Sequence, residues 1–110
     1  MIEKEQISNT DKLYKYILDN EEVGYLEIRI VDSVIDIMNL FVKETNRKQG
    51  IATKLMKELI ENEEYSKIML EVNEHNKEAL RLYTKLGFSE ISFRERYYGE
   101  NTAIIMERYK

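Results

Sequence analysis

The sequence predicts an α/β (α+β) domain built on a mixed, mostly antiparallel sheet. Its elements run in the order β-meander, α, β, α, β-hairpin. Three observations carry this. Apolar residues alternate with period two through the first third of the chain. From Ile51 the period changes to about 3.6 residues, the repeat of a helix. Beyond residue 67, short apolar runs separated by asparagine and glycine signals give a strand, a second helix and a closing hairpin.

Taken in order, residues 2–8 read as a short edge strand. Residues 12–19 alternate around Tyr14, Tyr16 and Leu18, and Asp19-Asn20-Glu21-Glu22 forms a turn. Residues 23–31 place Leu26, Ile28 and Ile30 on one face and Tyr25, Glu27 and Arg29 on the other. After the Asp32-Ser33 turn, residues 34–42 are almost continuously apolar, which predicts a strand covered on both faces. Ile51, Leu55 and Leu59, flanked by Ala52, Met56 and Ile60, give the first helix one broad apolar face as far as about residue 61. Residues 68–72 form a short buried strand. Asn76 N-caps a second helix, whose buried side is Ala79, Leu80, Leu82, Tyr83 and Leu86, and Gly87 occupies the C-cap position. Strands at residues 88–97 and 102–109 flank a Gly99-Glu100-Asn101 turn. A strand–helix–strand crossover therefore lies at the centre of the sheet.

Composition narrows the chemistry. The 110 residues make one domain, residues 1–110, and 43% hydrophobic with 35% charged residues is the balance of a folded globular chain. No apolar run is long enough to span a bilayer, and the first residues are not a signal peptide, so a cytoplasmic protein with no membrane partner is expected. The absence of cysteine excludes disulfides, thiolate metal sites and a cysteine nucleophile. A single histidine, His75, argues against a histidine metal site, so no metal is expected. A net charge of −4 disfavours nucleic acid as a partner.

The stretch Arg47-Lys48-Gln49-Gly50-Ile51-Ala52 follows the third meander strand and opens the first helix. Small residues at such a junction let a ligand approach the backbone, and the amides of the first helical turn attract an anion. Basic residues there oppose the helix dipole, which a bound phosphate or pyrophosphate would offset. As ordinary surface charges they would need no ligand at all.

Several motifs then occur in order: Leu40-Phe41-Val42 at the strand end, Arg47-x-x-Gly50-x-Ala52, Leu70-Glu71-Val72-Asn73-x-x-Asn76-x-x-Ala79 and Leu82-Tyr83-x-x-Leu86-Gly87-Phe88. Arg94-x-Arg96-Tyr97-Tyr98 and Ala103-Ile104-Ile105-Met106 follow. Together they resemble the GCN5-related N-acetyltransferase (GNAT) superfamily, in particular its ribosomal-protein-alanine (RimI-type) branch, over residues 23–110. The resemblance implies a GNAT-like sheet with a β-α-β-α-β core, and acetyl-CoA as cosubstrate. The pyrophosphate would lie on the amides of Lys48, Gln49, Gly50, Ile51, Ala52 and Thr53, beside Arg47. The pantetheine would pair with the backbone of Leu40, Phe41 and Val42, where the strands ending at Val42 and Val72 splay apart. Asn76 matches a cofactor contact, Glu71 a general base, Tyr83 a general acid, and Tyr97 and Tyr98 border the acceptor amine.

Each of these residues also has a purely structural reading. Glu71 alone is a solvated strand-end carboxylate, though its apolar neighbours predict partial burial. Tyr83 alone is a core aromatic, Asn76 a helix cap, and Tyr97-Tyr98 a cross-strand pair. His75 reads as an exposed loop residue and as a reserve base. The activity implied is acetyl transfer to a primary amine, the α-amine of a protein or peptide, by direct attack. A small-molecule amine acceptor and a non-catalytic acyl-CoA-binding domain are the competing readings. Members of the branch carry two helices between their first and second strands. Residues 1–11 are too few for them, which implies an open acceptor side and a sheet face that a homodimer would cover.

Overall fold

Short turns that accept left-handed backbone generate the first half of the sheet. The computed structural model describes residues 1–110, apart from the side chains of Tyr97 and Tyr98. Strands β1 (Ile2–Gln6), β2 (Asp11–Leu18), β3 (Glu21–Val31) and β4 (Val34–Val42) form an antiparallel meander. Asp19 and Asn20 have φ of 52° and 63°, and Asp32 and Ser33 have 49° and 68°. Two successive positive φ values are the mark of two-residue hairpin turns whose twist matches the strands, and Asp and Asn tolerate that region well.

Helix α1 (Ile51–Asn62) crosses over to β5 (Lys67–Asn73), and α2 (Lys77–Lys85) leads to the hairpin β6 (Ser89–Tyr98) and β7 (Asn101–Tyr109). The seven strands lie in the order β1-β2-β3-β4-β5-β7-β6, with β4 and β5 parallel and β7 inserted between β5 and β6. The alternation in residues 12–31 and the change of period at Ile51 therefore produce the predicted mixed sheet and crossover.

The core lies between the sheet and α1. Ile51, Leu55, Met56 and Leu59 of α1 are buried against Tyr14, Leu26, Ile28, Ile35, Ile68 and Leu70. Tyr14 is fully buried, and its hydroxyl donates to the Glu63 carboxylate just beyond α1. Lys12 Nζ meets the other oxygen of Glu63 at 2.9 Å, fastening β2 to the helix end. Gly24 explains how the start of α1 comes so close to β3. A Cβ there would lie 2.9 Å from the Phe41 carbonyl oxygen and 3.3 Å from Ile51 Cγ2. Gly24→Ala is therefore expected to cost about 1–3 kcal/mol in urea denaturation, because backbone must shift.

Two expectations are corrected. Strand β4 is covered on one face only, and Met38 and Phe41 are each 43% exposed. Both helices pack on the same face, and an extra residue at Met38 resets the alternation. Glu27 pairs with Asn39 and Ile28 with Ile37, so Met38 is bulged out. The bulge keeps Ile35, Ile37, Leu40 and Val42 all facing the helices, and the exposed Met38 and Phe41 between them make the strand read as continuously apolar. In α2 only Tyr83 is fully buried. Ala79, Leu80, Leu82 and Leu86 are half-buried, because part of that side of the helix faces open clefts.

The bulge lies where β4 leaves β5. The two strands stay in register for Val34–Lys67, Ile35–Ile68 and Asp36–Met69, and pairing then ends. Strand β5 continues against β7 to Asn73. A wedge-shaped gap thus opens between the C-terminal halves of two parallel strands, as expected for the segments ending at Val42 and Val72.

Candidate active site

The gap is flanked on the helix face by a cleft of about 420 Å³. One wall is the end of β4, Leu40, Phe41 and Val42. Arg47 Nε donates to the Val42 carbonyl at 3.0 Å, which ties the following loop to the strand end. Lys48 and Gly50 then adopt φ of 64° and 78°, a left-handed course natural for Gly50 and strained for Lys48. Gly50 is the N-cap of α1, supplies no side-chain cap, and has nothing within 4 Å of the place a Cβ would take.

The first helical bond runs from Lys54 N–H to the Gly50 carbonyl at 3.0 Å. The amides of Ile51, Ala52 and Thr53 precede it and have no partner within the helix, and these three residues line the cleft. No acidic residue stands in this first turn, whereas Arg47 and Lys48 stand beside it. An uncapped, unobstructed helix start with cations beside it fits the pyrophosphate of a nucleotide cosubstrate.

Helix α2 forms the opposite wall through Asn76, Ala79, Leu82 and Tyr83. Asn76 Oδ1 accepts from Ala79 N–H at 3.1 Å, so Asn76 both caps α2 and borders the cleft. The end of the helix fixes Tyr83. Gly87, with φ of 94°, closes a Schellman turn in which Phe88 N–H bonds the Tyr83 carbonyl at 3.0 Å and Gly87 N–H bonds the Thr84 carbonyl at 3.1 Å. The hydrophobic contact typical of that turn is Tyr83 against Phe88, ring edge to face at 5.7 Å. Leu86-Gly87-Phe88 is thus the local code that holds the Tyr83 ring. Tyr83 is 7% exposed, and burial pushes its hydroxyl up to about 12, so it stays a proton donor at ordinary pH.

Glu71 departs from expectation. Leu70 and Val72 are buried under the helices, so the period of the strand turns Glu71 to the opposite face, where it is exposed. The apolar neighbours that predicted partial burial face the other way. Glu71 Oε1 lies 3.1 Å from Arg94 Nη2. Glu71 lines a second depression, of about 640 Å³, with Asp36, Met38, Met69, Arg94 and Ile105. Tyr83 and Glu71 therefore approach the β4–β5 gap from opposite faces of the sheet.

The cleft gathers Leu40, Phe41, Val42, Arg47, Lys48, Gly50, Ile51, Ala52, Thr53, Asn76 and Tyr83, and leaves Gln49 outside its wall. His75 is exposed, with Nε2 3.3 Å from Glu74 Oε1, and borders neither cavity. Tyr97 and Tyr98 lie outside the described side chains. Sequence reasoning missed the cleft residues Asn46, Glu78, Ala79 and Leu82, and on the open face Asp36, Met38 and Arg94. Of these, Ala79, Leu82 and Arg94 carried a signal, as members of the quoted motifs.

A mixed sheet split at its parallel pair, with an anion-seeking helix start on one side of the split, defines a class. Residues 3–88 match the model of the acetyltransferase (GNAT) family, so the chain belongs to that family. The [ribosomal protein bS18]-alanine N-acetyltransferase of Escherichia coli K12 is 31% identical over 114 aligned positions, covering 94% of this chain and 77% of that protein. An N-alpha-acetyltransferase of Sulfurisphaera tokodaii is 32% identical, and the match covers 77% of this chain but only 55% of that longer relative. Among solved structures, the ribosomal-protein-S18-alanine N-acetyltransferase from Escherichia coli superposes with a TM-score of 0.88 at 25% identity, covering 93% of this chain and 70% of that one. A GNAT acetyltransferase from Elizabethkingia anophelis, with acetyl-CoA bound, shares the fold with a TM-score of 0.83 at 24% identity, covering 92% and 77% of the two chains. Among the described residues, no helix is long and apolar enough to cross a membrane.

Proposed function

We propose that the protein is an acetyl-CoA-dependent N-acetyltransferase that acts on the α-amine of a protein or peptide. The observation that carries this reading is the uncapped first turn of α1. It opens a cleft between the end of β4 and a buried tyrosine, at a gap in the sheet with a carboxylate on its far side. The names of the relatives direct the choice of acceptor towards an α-amine.

Ile51, Ala52 and Thr53 would hold the pyrophosphate, helped by Arg47 and Lys48, with Asn76 at the opposite wall. The backbone of Leu40, Phe41 and Val42 would pair with the pantetheine arm. Acetyl-CoA, when bound, supplies an activated acyl carbonyl and a thiolate leaving group. Glu71 accepts the proton of the acceptor ammonium, because only the neutral amine is nucleophilic. The amine forms the new C–N bond as the C–S bond breaks, and the Tyr83 hydroxyl protonates the departing sulfur. The second proton, shed by the new amide nitrogen, returns to the Tyr83 oxygen through solvent, while Glu71 releases its proton to solvent. A backbone amide at the end of β4 would polarise the acyl carbonyl. The two faces give the two reactants separate entrances, the cosubstrate from the helix side and the amine from the open side.

Thiol release from acetyl-CoA, measured over a panel of peptides and polyamines, tests the reading. The expected result is turnover with free peptide N-termini and none with N-terminally blocked peptides that lack lysine. Turnover confined to polyamines would instead make the protein a small-molecule acetyltransferase.

A further inference from the structure

Arg94 belongs to a motif of the sequence, yet the acid–base scheme gives it no part. Its place in the fold is specific. It is the last residue of β6 in regular register on β7, opposite Ala103, before the register breaks and Arg96 turns to a φ of 54°. Ala103 in turn pairs with Asn73, two residues beyond Glu71 on the same face of β5. The guanidinium reaches diagonally over β7 to Glu71, across the position of Ala103. Both partners remain open to solvent, at 54% and 30% side-chain exposure, which makes the pair weak and replaceable.

We propose that Arg94 and Glu71 together recognise a peptide N-terminus, with Glu71 taking the α-ammonium and Arg94 donating to the first peptide carbonyl. The proposal rests on the N-acetyltransferase reading and assigns the acceptor specificity of that same site. A peptide N-terminus presents a cation and a hydrogen-bond acceptor side by side, and the pair offers an anion and a donor 3.1 Å apart. A simple alkylamine has only the cationic half. On binding, the ammonium replaces the guanidinium at the carboxylate, and the guanidinium turns to the carbonyl without losing a partner.

Arg29, the other arginine of the depression, is paired within the meander. Arg29 Nε and Nη2 hold the two oxygens of Asp11 at 2.8 and 3.1 Å. Asp36, on the opposite rim, adds negative potential that favours a cationic acceptor. Met38, Met69 and Ile105 line the remainder, and the pliable thioether side chains suit first residues of differing shape.

The test compares Arg94→Met and Arg94→Lys with the unsubstituted protein on two acceptors, a free-N-terminus peptide and 2-phenylethylamine. Arg94→Met is expected to raise KM for the peptide about tenfold, the value of one charge-assisted hydrogen bond, with kcat little changed. The ratio of kcat/KM for the peptide to that for the alkylamine should fall about tenfold, and Arg94→Lys should recover part of the peptide affinity. An equal loss on both acceptors would show a merely structural residue and overturn the proposal, as would an unchanged KM for the peptide. If the unsubstituted protein binds acetyl-CoA but acetylates neither amine, the N-acetyltransferase reading falls first, and this assignment with it.

Discussion

Glu71→Gln is expected to lower kcat by about 10²–10⁴-fold, the usual contribution of a positioned acid or base, while acetyl-CoA affinity stays within roughly twofold. The substitution keeps the shape of the side chain and removes its capacity to take a proton. Glu71 stands on the open face, away from the cleft at the start of α1, so cosubstrate binding has no reason to change. It is exposed and its ion partner is half-exposed, so the thermal midpoint should barely move. Single-turnover rates with a free-N-terminus peptide separate the chemical step from binding. Equal turnover in the variant would remove Glu71 as the base and turn attention to His75, exposed beside Glu74.

The second large effect is at Tyr83. Tyr83→Phe should cost about 10²-fold or more in kcat, because the departing thiolate loses its proton donor. The phenyl ring still meets Phe88 across the Schellman turn, so the end of α2 should stay intact. The pH profile adds a sign. A tyrosine hydroxyl donates only while protonated, and burial pushes this one up to about 12, above its ordinary value near 10. The donor form is therefore present throughout the range below about 11 and is lost only as pH rises through that shifted value. In the unsubstituted protein kcat at saturating acceptor, which reports the bound complex, should hold level to about pH 10. A descending limb near pH 9–10 that vanishes in Tyr83→Phe would contradict a buried, protonated Tyr83.

Much of this arrangement is written locally in the chain. Strict alternation in residues 12–31 gives strands β2 and β3, the Asp19-Asn20 and Asp32-Ser33 pairs give their turns, and Asn76 and Gly87 mark the ends of α2. The cleft at the start of α1 was legible for the same reason, since a glycine-centred loop entering a helix is a contiguous signal. The depression on the open face was not. Glu71, Arg94, Asp36 and Met38 come from three strands, and only their register brings them to one depression. Strand β4 read as covered on both faces because the outward-facing Met38 and Phe41 are themselves apolar and fill the gaps between the inward residues. Which face of β5 Glu71 occupies depends on where the helices pack, and its two apolar neighbours are silent on that.

Titration calorimetry of the folded protein with acetyl-CoA, with ATP as the control anion, tests the central claim most directly. The account predicts saturable one-to-one binding of acetyl-CoA and no comparable binding of ATP, because the pantetheine arm needs the split between β4 and β5. A folded protein that binds neither would mean that the Arg47–Ala52 turn is structural only, and that would contradict the account.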